Sequence, residues 1–532
     1  MSLQFIFGNS GSGKSHYLYQ QIVEESIRHP EKNYLVLVPE QFTMQTQKDL
    51  CMAHPRGGIM NIDVLSFGRL AHRVFEETGK ERQPILDDEG KNLVLRKIAG
   101  NYEDELTVLK GNLKKQGYIS EVKSVISEFT QYGIDFEQLD SFMEGLNPES
   151  YLYYKLKDIR KVYEGFEDYL RDKYITKEEL LDVLSQTVPE AKMLKDSVIA
   201  MDGFTGFTPV QNRLIGELLK VCDKIMLTVE IDRREDPFVY KHPYQLFALS
   251  KQMVTSLTEV AQEVRVEIDE PVWLCKNPSY RFKENPEMAF LEEELFRYSR
   301  RKYSGEKMRS ISLHEVHTPQ EEAQYVAEEI RRLVREEGYR YREIAVIASD
   351  LSTYADALEK ACDRYEIPVF MDHKKSILLN SFVEYLRSLL VMVEQNYTYE
   401  SVFRYLRTSL CGFTRDEVDR LENYCLALDL KGFKKWDQVW VRKTPMTTKE
   451  ELEELNHLRM RFVEKLTPLH TVLKKRKKTV KEITLAVYEY LVQEKIQEQL
   501  AELEQKFQED GELALAKEYA QIYRIVLELF DK

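Results

Sequence analysis

The feature that most constrains this 532-residue sequence is a glycine-rich segment close to its amino terminus. Residues 8–15 read Gly-Asn-Ser-Gly-Ser-Gly-Lys-Ser and fit the pattern G-x-x-x-x-G-K-[ST]. A short apolar run at residues 3–7 precedes the segment, and a helical pattern begins near Lys14. Glycines let several backbone N–H groups converge on phosphate oxygens at a helix N-terminus, where the helix dipole favours anions. The segment therefore predicts a phosphate loop between a strand and a helix of an α/β fold.

The loop and one later carboxylate together predict a site for ATP and Mg²⁺. The candidate nucleotide-binding residues are the whole loop, Gly8, Asn9, Ser10, Gly11, Ser12, Gly13, Lys14 and Ser15. Lys14 is expected to reach the β- and γ-phosphates, and the Ser15 hydroxyl is expected to hold Mg²⁺. Asp202 follows an apolar run, the usual position of a carboxylate that contacts this metal through water. Gly203 stands where a hydrolysing ATPase of this kind carries a glutamate, so we hypothesise binding without efficient hydrolysis.

Apolar runs alternate with helical patterns along much of the chain, which predicts parallel strands joined by right-handed crossovers. Strands of the first sheet are expected at residues 3–7, 34–38, 62–65, 197–201 and 224–231. Amphipathic charged segments such as 121–129 and 151–169 interrupt this pattern and predict a helical insertion. We assign the first α/β lobe to residues 1–75 and 191–305, and the insertion to residues 76–190.

A second α/β lobe is predicted over residues 306–395. The sequence marks both ends of its first helix. Thr318 is the expected N-cap, Pro319 takes the first helical position and Glu321 completes a capping box. Gly338 lies just beyond the expected end. Apolar runs at 344–348 and 369–371 are expected to be strands. Residues 396–532 predict a second, incomplete helical insertion, and we expect the natural chain to continue past Lys532 because the sequence stops within an amphipathic pattern.

Composition excludes several classes of protein. A formal net charge of −14 argues against a uniformly basic nucleic-acid-binding surface, although not against a local basic groove. No uncharged apolar run approaches the ~18 residues that span a membrane, and the first residues lack a basic leader, so we expect a cytoplasmic protein without membrane contact. The six cysteines are scattered without a C-x-x-C pair, which predicts reduced, mostly buried thiols.

Three further segments carry a family resemblance. Residues 202–211 align without gaps with motif II of superfamily 1 helicases of the UvrD type, where Asp202, Phe204, Pro209 and Gln211 match. Residues 38–43, Val-Pro-Glu-Gln-Phe-Thr, and residues 64–71 resemble motifs Ia and Ib of those helicases. Together with the phosphate loop, these segments are similar to the B subunits of the AddAB (RexAB) helicase-nucleases, and the resemblance extends over the whole chain.

The resemblance implies two RecA-like P-loop lobes with parallel sheets and large, mostly helical insertions. It implies a heterodimer with an AddA-type motor subunit that unwinds and digests DNA, duplex and single-stranded, at double-strand breaks for recombinational repair. In that family the B subunit is not a working helicase, helps to read the Chi sequence, and carries a nuclease domain with an iron–sulfur cluster, which lies outside this sequence. Carried over to this chain, the DNA-binding residues are Gln41, Thr43, Phe67, Arg69, His72 and Phe207.

Three basic stretches could add to a DNA surface, namely residues 297–303, 431–443 and 474–478. Basic and aromatic residues interleave in the first two, a pattern that suits single-stranded nucleic acid. Each stretch could equally be a solvated surface or a contact with a partner subunit. Three alternatives to the helicase-like subunit also stay open at this point: an active DNA-dependent ATPase or helicase, a nucleotide kinase, and a scaffold with a vestigial nucleotide site.

Overall fold

The computed structural model describes residues 1–79, 84–113, 115–171, 173–305, 309–371, 376–408, 410–445 and 447–531. The chain divides into two compact units, Met1–His314 and Glu315–Lys532. The nucleotide-site residues and the candidate DNA-binding residues all belong to the first unit.

A parallel sheet forms the centre of the first unit. Its strands are β1 (Ser2–Gly8), β2 (Tyr34–Leu37), β3 (Ile62–Leu65), β6 (Val198–Met201), β7 (Lys224–Glu230), β8 (Glu267–Ile268) and β9 (Val272–Trp273). The order across the sheet is β3–β2–β6–β7–β1–β8, with β9 also paired to β1. Because the pairings are parallel, the carboxyl ends of the strands share one edge, which is where α/β proteins bind ligands. The predicted strands of this sheet are confirmed to within one residue at either end.

Helices cover both faces of the sheet. The first unit contains α1 (Lys14–Arg28), α2 (Thr43–Ala53), α3 (Phe67–Thr78), α4 (Asp88–Asn101), α5 (Gln116–Tyr132), α6 (Phe136–Glu144), α7 (Tyr151–Leu170), α8 (Leu180–Thr187), α9 (Pro209–Leu219), α10 (Ala248–Glu263) and α11 (Pro286–Glu294). Alternate strand residues point to opposite faces, so Leu35 and Ile199 pack with α3, α8, α9 and α10 while Val36 and Ala200 pack with α1 and α2. Burial on both faces explains why the strands read as continuous apolar runs.

The segment between α3 and α8 forms a helical body with its own core. Helices α4, α5 and α7 bury Leu95, Ile126 and Phe166 against one another. A two-stranded parallel sheet, β4 (Ile85–Leu86) with β5 (Ile175–Thr176), joins the two ends of this body. The helical segments predicted at 121–129 and 151–169 are confirmed, since the first lies within α5 and the second covers α7 except for its last residue.

The described residues of the second unit form helices joined by irregular connections, without a strand. Its helices are α12 (Pro319–Glu336), α13 (Leu351–Arg364), α14 (Ser381–Glu394), α15 (Tyr399–Leu406), α16 (Arg415–Ala427), α17 (Phe433–Asp437), α18 (Lys449–Leu473), α19 (Val480–Gln493), α20 (Ile496–Glu509) and α21 (Leu513–Asp531). Helices α12 and α13 share a small apolar cluster, and the helices from α14 onward share a large one. The predicted first helix is confirmed, with the Thr318 hydroxyl accepting the Glu321 N–H, but the Glu321 carboxylate accepts from the His317 N–H and not from Thr318.

The predicted strands at 344–348 and 369–371 are wrong. Both segments lack strand pairing, and no strand follows Trp273 in the part of the chain that the structure describes. The physical reason is that an apolar run becomes a strand only beside a pairing segment. Ile347 is instead 95% exposed and Phe370 is 88% exposed. The mixed α/β character of the chain is therefore confirmed, whereas a second RecA-like lobe is not.

The cysteine prediction is confirmed. Four of the six thiols are buried and two are half-buried, and none forms a disulfide. Burial raises the pKa of the Cys222 thiol to about 11. Within the described residues, no helix has both the length and the apolar character needed to cross a membrane.

Candidate nucleotide site and nucleic-acid interface

The phosphate loop connects β1 to the first turn of α1, as predicted. Gly11 has φ 72°, a left-handed conformation that favours glycine, and a Cβ atom there would lie 2.7 Å from the Arg281 Cβ. The Lys14 Nζ donates a hydrogen bond to the Asn9 carbonyl oxygen at 3.0 Å. The loop is therefore folded back on itself around the lysine, with its glycine packed against a distant segment of the chain.

Buried polar atoms in the loop lack partners among the described residues. They are Asn9 Oδ1 and Ser12 Oγ. On the neighbouring segment, Ser279 Oγ is likewise buried without a hydrogen-bond partner among the described residues. Buried polar groups in proteins are almost always hydrogen-bonded, so such atoms mark a place where a ligand or water supplies the partner. The adjoining cleft has a volume of about 700 Å³, a size suited to a small-molecule ligand, and is lined in part by Lys14, Ser15 and Asp202. These residue types fit a triphosphate with its magnesium ion.

Asp202 lies at the carboxyl end of β6, facing the loop. The side chain is buried, and each of its carboxylate oxygens accepts a hydrogen bond: Oδ2 from the Tyr19 hydroxyl at 2.8 Å and Oδ1 from the Thr228 hydroxyl. Burial lowers the pKa of Lys14, and the negative charges of Glu230 and Asp202 oppose this shift. Burial, together with the charge of Asp202, raises the pKa of Tyr19, which keeps its hydroxyl proton available for donation.

The sequence prediction missed several residues of this cleft, among them Tyr19, Thr228, Glu230 and Arg281. Glu230 ends β7 in register with Gly8, so the end of a predicted strand beside β1 was a usable signal. The backbone N–H of Arg281 donates to the Gly11 carbonyl at 3.0 Å, and its side chain reaches the cleft. No local sequence pattern predicts Arg281 as a residue of this site, because it belongs to a segment far along the chain.

The candidate DNA-binding residues follow three neighbouring strands. Gln41 and Thr43 come after β2, Arg69 and His72 lie on α3 after β3, and Phe207 comes after β6. The sheet order β3–β2–β6 therefore brings these segments to one edge, next to Asp202. Gln41, Arg69 and His72 are exposed, as a DNA contact requires, whereas Thr43 is buried and its hydroxyl donates to the Glu40 carbonyl at 3.0 Å.

Phe67 differs from the expectation of a base-stacking ring. Its side chain is only 8% exposed and packs with Phe204 and Phe207, at ring-centroid distances of 5.5 and 6.2 Å. Phe207, like Phe204, is half-buried and therefore partly accessible. Phe67 therefore supports the ring that a base could reach.

Two of the basic stretches are also engaged in internal contacts. Trp436 and Trp440, in residues 431–443, are buried in the core of the second unit and cannot stack on bases. Arg297, in the first stretch, pairs with Asp232 at 2.7 Å and Glu235 at 3.0 Å. Local composition suggested a DNA surface for these residues, and tertiary packing assigns several of them to structural contacts.

Curated relatives match along the whole chain, and each is described as the B subunit of an ATP-dependent helicase/deoxyribonuclease. The protein of Lachnoclostridium phytofermentans is 40% identical over 538 residues, covering 100% of this chain and 47% of the relative. The Clostridium novyi protein is 32% identical over 532 residues, covering 100% and 46%. The Clostridium perfringens strain SM101 protein is 33% identical over 549 residues, covering 100% and 47%. The chain thus spans about half the length of these relatives.

Two family models also match the chain. The model described as UvrD-like helicase C-terminal domain matches residues 281–531. The model described as ADDB, N-terminal, matches residues 5–292, which include the phosphate loop, Asp202 and the candidate DNA-binding residues. Because this second match covers more than half of the sequence, the chain belongs to the AddB N-terminal family.

Proposed function

We propose that this chain is the helicase-like part of the B subunit of a helicase/deoxyribonuclease and binds both ATP with Mg²⁺ and single-stranded DNA. The observation that carries the proposal is the shared edge of the parallel sheet. The phosphate loop follows β1 there, Asp202 follows β6, and the exposed Gln41 and Arg69 follow β2 and β3. One edge thus offers a phosphate site and an extended polar surface side by side.

The nucleotide acts in this proposal as a bound effector and is not turned over efficiently. Lys14 would neutralise the β- and γ-phosphates, Ser15 would hold Mg²⁺, and Asp202 would accept a hydrogen bond from a metal-bound water. Gly203 supplies no carboxylate to orient an attacking water. The chain would therefore bind ATP without being a helicase itself.

The DNA is a single strand that crosses the carboxyl edge of the sheet. Gln41 would contact phosphates or base edges, Arg69 and His72 would contact phosphates, and Phe207 would stack on a base. Thr43 lies beneath this surface and orients its neighbours.

The wider role is the processing of duplex DNA ends at double-strand breaks for recombinational repair. The names of the relatives, which describe a B subunit, support a partner protein, for which we propose an AddA-type motor. Recognition of a Chi-type sequence in the single strand is part of this proposal. The nuclease activity and its iron–sulfur cluster are assigned to protein outside these 532 residues.

The test uses the full chain and two single variants, Lys14→Ala and Arg69→Ala. Because a ligand that binds the folded state raises the unfolding temperature, Mg·ATPγS should raise the Tm of the wild type and of Arg69→Ala but not of Lys14→Ala. Lys14→Ala should keep its affinity for a fluorescent oligo-dT, whereas Arg69→Ala should bind it more weakly. Arg69→Ala should also reduce the salt slope, the slope of the logarithm of the binding constant against the logarithm of the salt concentration, by about 1.

Arg73→Ala is the matched control, because Arg73 lies on the same helix but is paired with Asp63 at 3.0 Å. Its salt slope should equal that of the wild type. A wild type whose Tm does not respond to Mg·ATPγS would refute the nucleotide site, and an unchanged salt slope in Arg69→Ala would remove Arg69 from the DNA surface.

One observation favours a second candidate, an active DNA-dependent ATPase. Glu230 lines the cleft close enough to influence the charge of Lys14, so a carboxylate is present although Gly203 lacks one. Arg281 adds a cation at the same cleft. ATP turnover that depends on oligo-dT and is abolished by Glu230→Gln would select this candidate over the static nucleotide clamp.

A further inference from the structure

A buried chain of hydrogen bonds runs behind the candidate metal site. The Tyr19 hydroxyl on α1 lies 2.8 Å from Asp202 Oδ2 and 3.3 Å from the Thr46 hydroxyl on α2. Thr228 on β7 completes the chain at the other carboxylate oxygen. All four side chains are buried, and Tyr19, Asp202 and Thr228 also border the nucleotide cleft.

The direction of donation along the chain follows from the chemistry of its members. An ionised carboxylate only accepts hydrogen bonds, so the Tyr19 proton is directed to Asp202. With its single proton committed, the Tyr19 oxygen accepts from the Thr46 hydroxyl. Any change in how strongly Asp202 attracts the Tyr19 proton is therefore passed to Thr46, because linked hydrogen bonds polarise one another.

Thr46 connects this chain to the DNA edge of the sheet. It lies one turn after Thr43 on the buried face of α2, and Gln41 lies two residues before the start of that helix. The same segment also lies near Gly203, because a Cβ atom built there would lie 3.6 Å from the Phe42 ring and 3.6 Å from Pro39. Asp202 therefore reaches the α2 segment only through Tyr19 and Thr46, while Gly203 lies beside the residues that precede the helix.

We infer that Tyr19 is a positioning residue that couples magnesium-nucleotide binding at Asp202 to the affinity of the α2 segment for single-stranded DNA. The inference rests on the proposed function. If Asp202 also accepted hydrogen bonds from metal-bound water, its bond from Tyr19 would weaken and Thr46 would be held less tightly. Coupling between two sites is reciprocal, so DNA must change the affinity for nucleotide by the same factor.

The experiment measures this coupling in the full chain. The Kd for a fluorescent oligo-dT is determined with and without saturating Mg·ATPγS, in the wild type and in Tyr19→Phe. We expect nucleotide to change the wild-type Kd by about fivefold or more, the usual lower bound for an allosteric effect. Tyr19→Phe removes one oxygen atom and should bring that factor, the ratio of two Kd values measured on the same variant, close to 1.

Two further variants separate coupling from structural damage. Thr46→Val breaks the chain at the α2 end without touching Asp202 and should lose the coupling as well. Tyr34→Phe is the matched control, because its buried hydroxyl has no hydrogen-bond partner among the described residues and its loss should leave the factor unchanged. A Tyr19→Phe variant with wild-type coupling overturns the inference, and so does a wild type that binds both ligands independently. Failure of the wild type to bind either ligand refutes the proposed function itself.

Discussion

Gly203 shows how backbone conformation at a single residue shapes the chemistry of a site. Its φ of 79° lies in the left-handed region, where a side chain costs about 1–2 kcal/mol. Pro39 and Phe42 lie against it, so the space beside its Cα is already bounded. A glutamate at this position would meet an unfavourable backbone, with its Cβ atom in ordinary contact with Pro39 and Phe42. The lack of a carboxylate here is thus built into the local conformation.

At this scale we predict that Gly203→Glu lowers the free energy of unfolding by about 1–2 kcal/mol, because the new side chain is forced into a left-handed backbone. It should not create rapid ATP turnover, because the strained backbone at residue 203 must relax before the new carboxylate can be held in one place. Urea unfolding and a phosphate-release assay measure the two effects. Gly206→Glu is the control, since Gly206 has open space around it and should tolerate the change. Rapid turnover by Gly203→Glu would contradict the conformational argument.

Helix α7 carries two carboxyl groups, at Asp158 and Glu167, that have opposite effects on the stability of the protein. Its Asp158 carboxylate accepts the backbone N–H groups of Thr107 at 3.0 Å and Leu109 at 2.8 Å, which ties an irregular connection to the helix. Glu167, further along the same helix, accepts no backbone N–H group through its carboxylate among the described residues. Burial, together with the nearby charge of Glu179, raises the pKa of Glu167 to about 7. Asp158 therefore stabilises the helical insertion, whereas the ionised form of Glu167 destabilises it.

For this element we predict that Glu167→Gln stabilises the protein at pH 8 and much less at pH 5. The folded-state pKa of Glu167 is about 7, above its ordinary value of 4.5, so the folded state holds the proton more tightly. Its contribution to stability is full below pH 4.5 and is lost as the pH rises through 7. The Tm difference between variant and wild type at the two pH values measures this. An equal Tm difference at pH 5 and pH 8 would contradict this prediction.

Across the whole molecule, the residues of the proposed site lie in one of the two units. The phosphate loop, Asp202, Arg281 and the DNA candidates all precede the boundary after His314. The first unit also has apolar cores on both faces of its sheet, which is what independent folding requires. The helical unit that follows has its own large core.

We therefore predict that residues 1–314 alone unfold cooperatively and bind Mg·ATPγS with a Kd within about twofold of that of the full chain, because a unit with its own core folds alone. Calorimetry on both chains provides the comparison. The matching fragment, residues 315–532, should show no nucleotide-dependent change in Tm. A large loss of affinity in residues 1–314 would mean that the second unit supplies part of the site.

How far sequence reasoning reached depended on whether the signal was local. The phosphate loop and the strands around it were predictable because burial on both faces leaves uninterrupted apolar runs between turn residues. The runs at 344–348 and 369–371 have the same local appearance, yet a strand also needs a neighbour, which no run reveals by itself. The hydrogen-bonded Tyr19 and the approach of Arg281 to Gly11 depend on distant contacts, so they were beyond reach.

The short ladder of β4 and β5 has a consequence for how such a chain can vary. Ile85 pairs with Ile175, so the two ends of a long excursion of the chain stand side by side, at the spacing of neighbouring strands. The entropy needed to close a loop grows only with the logarithm of its length. Residues can thus be gained or lost between the two strands at little thermodynamic cost to the nucleotide-binding sheet. The ladder makes the helical body a replaceable module, which evolution or an engineer can lengthen, shorten or exchange.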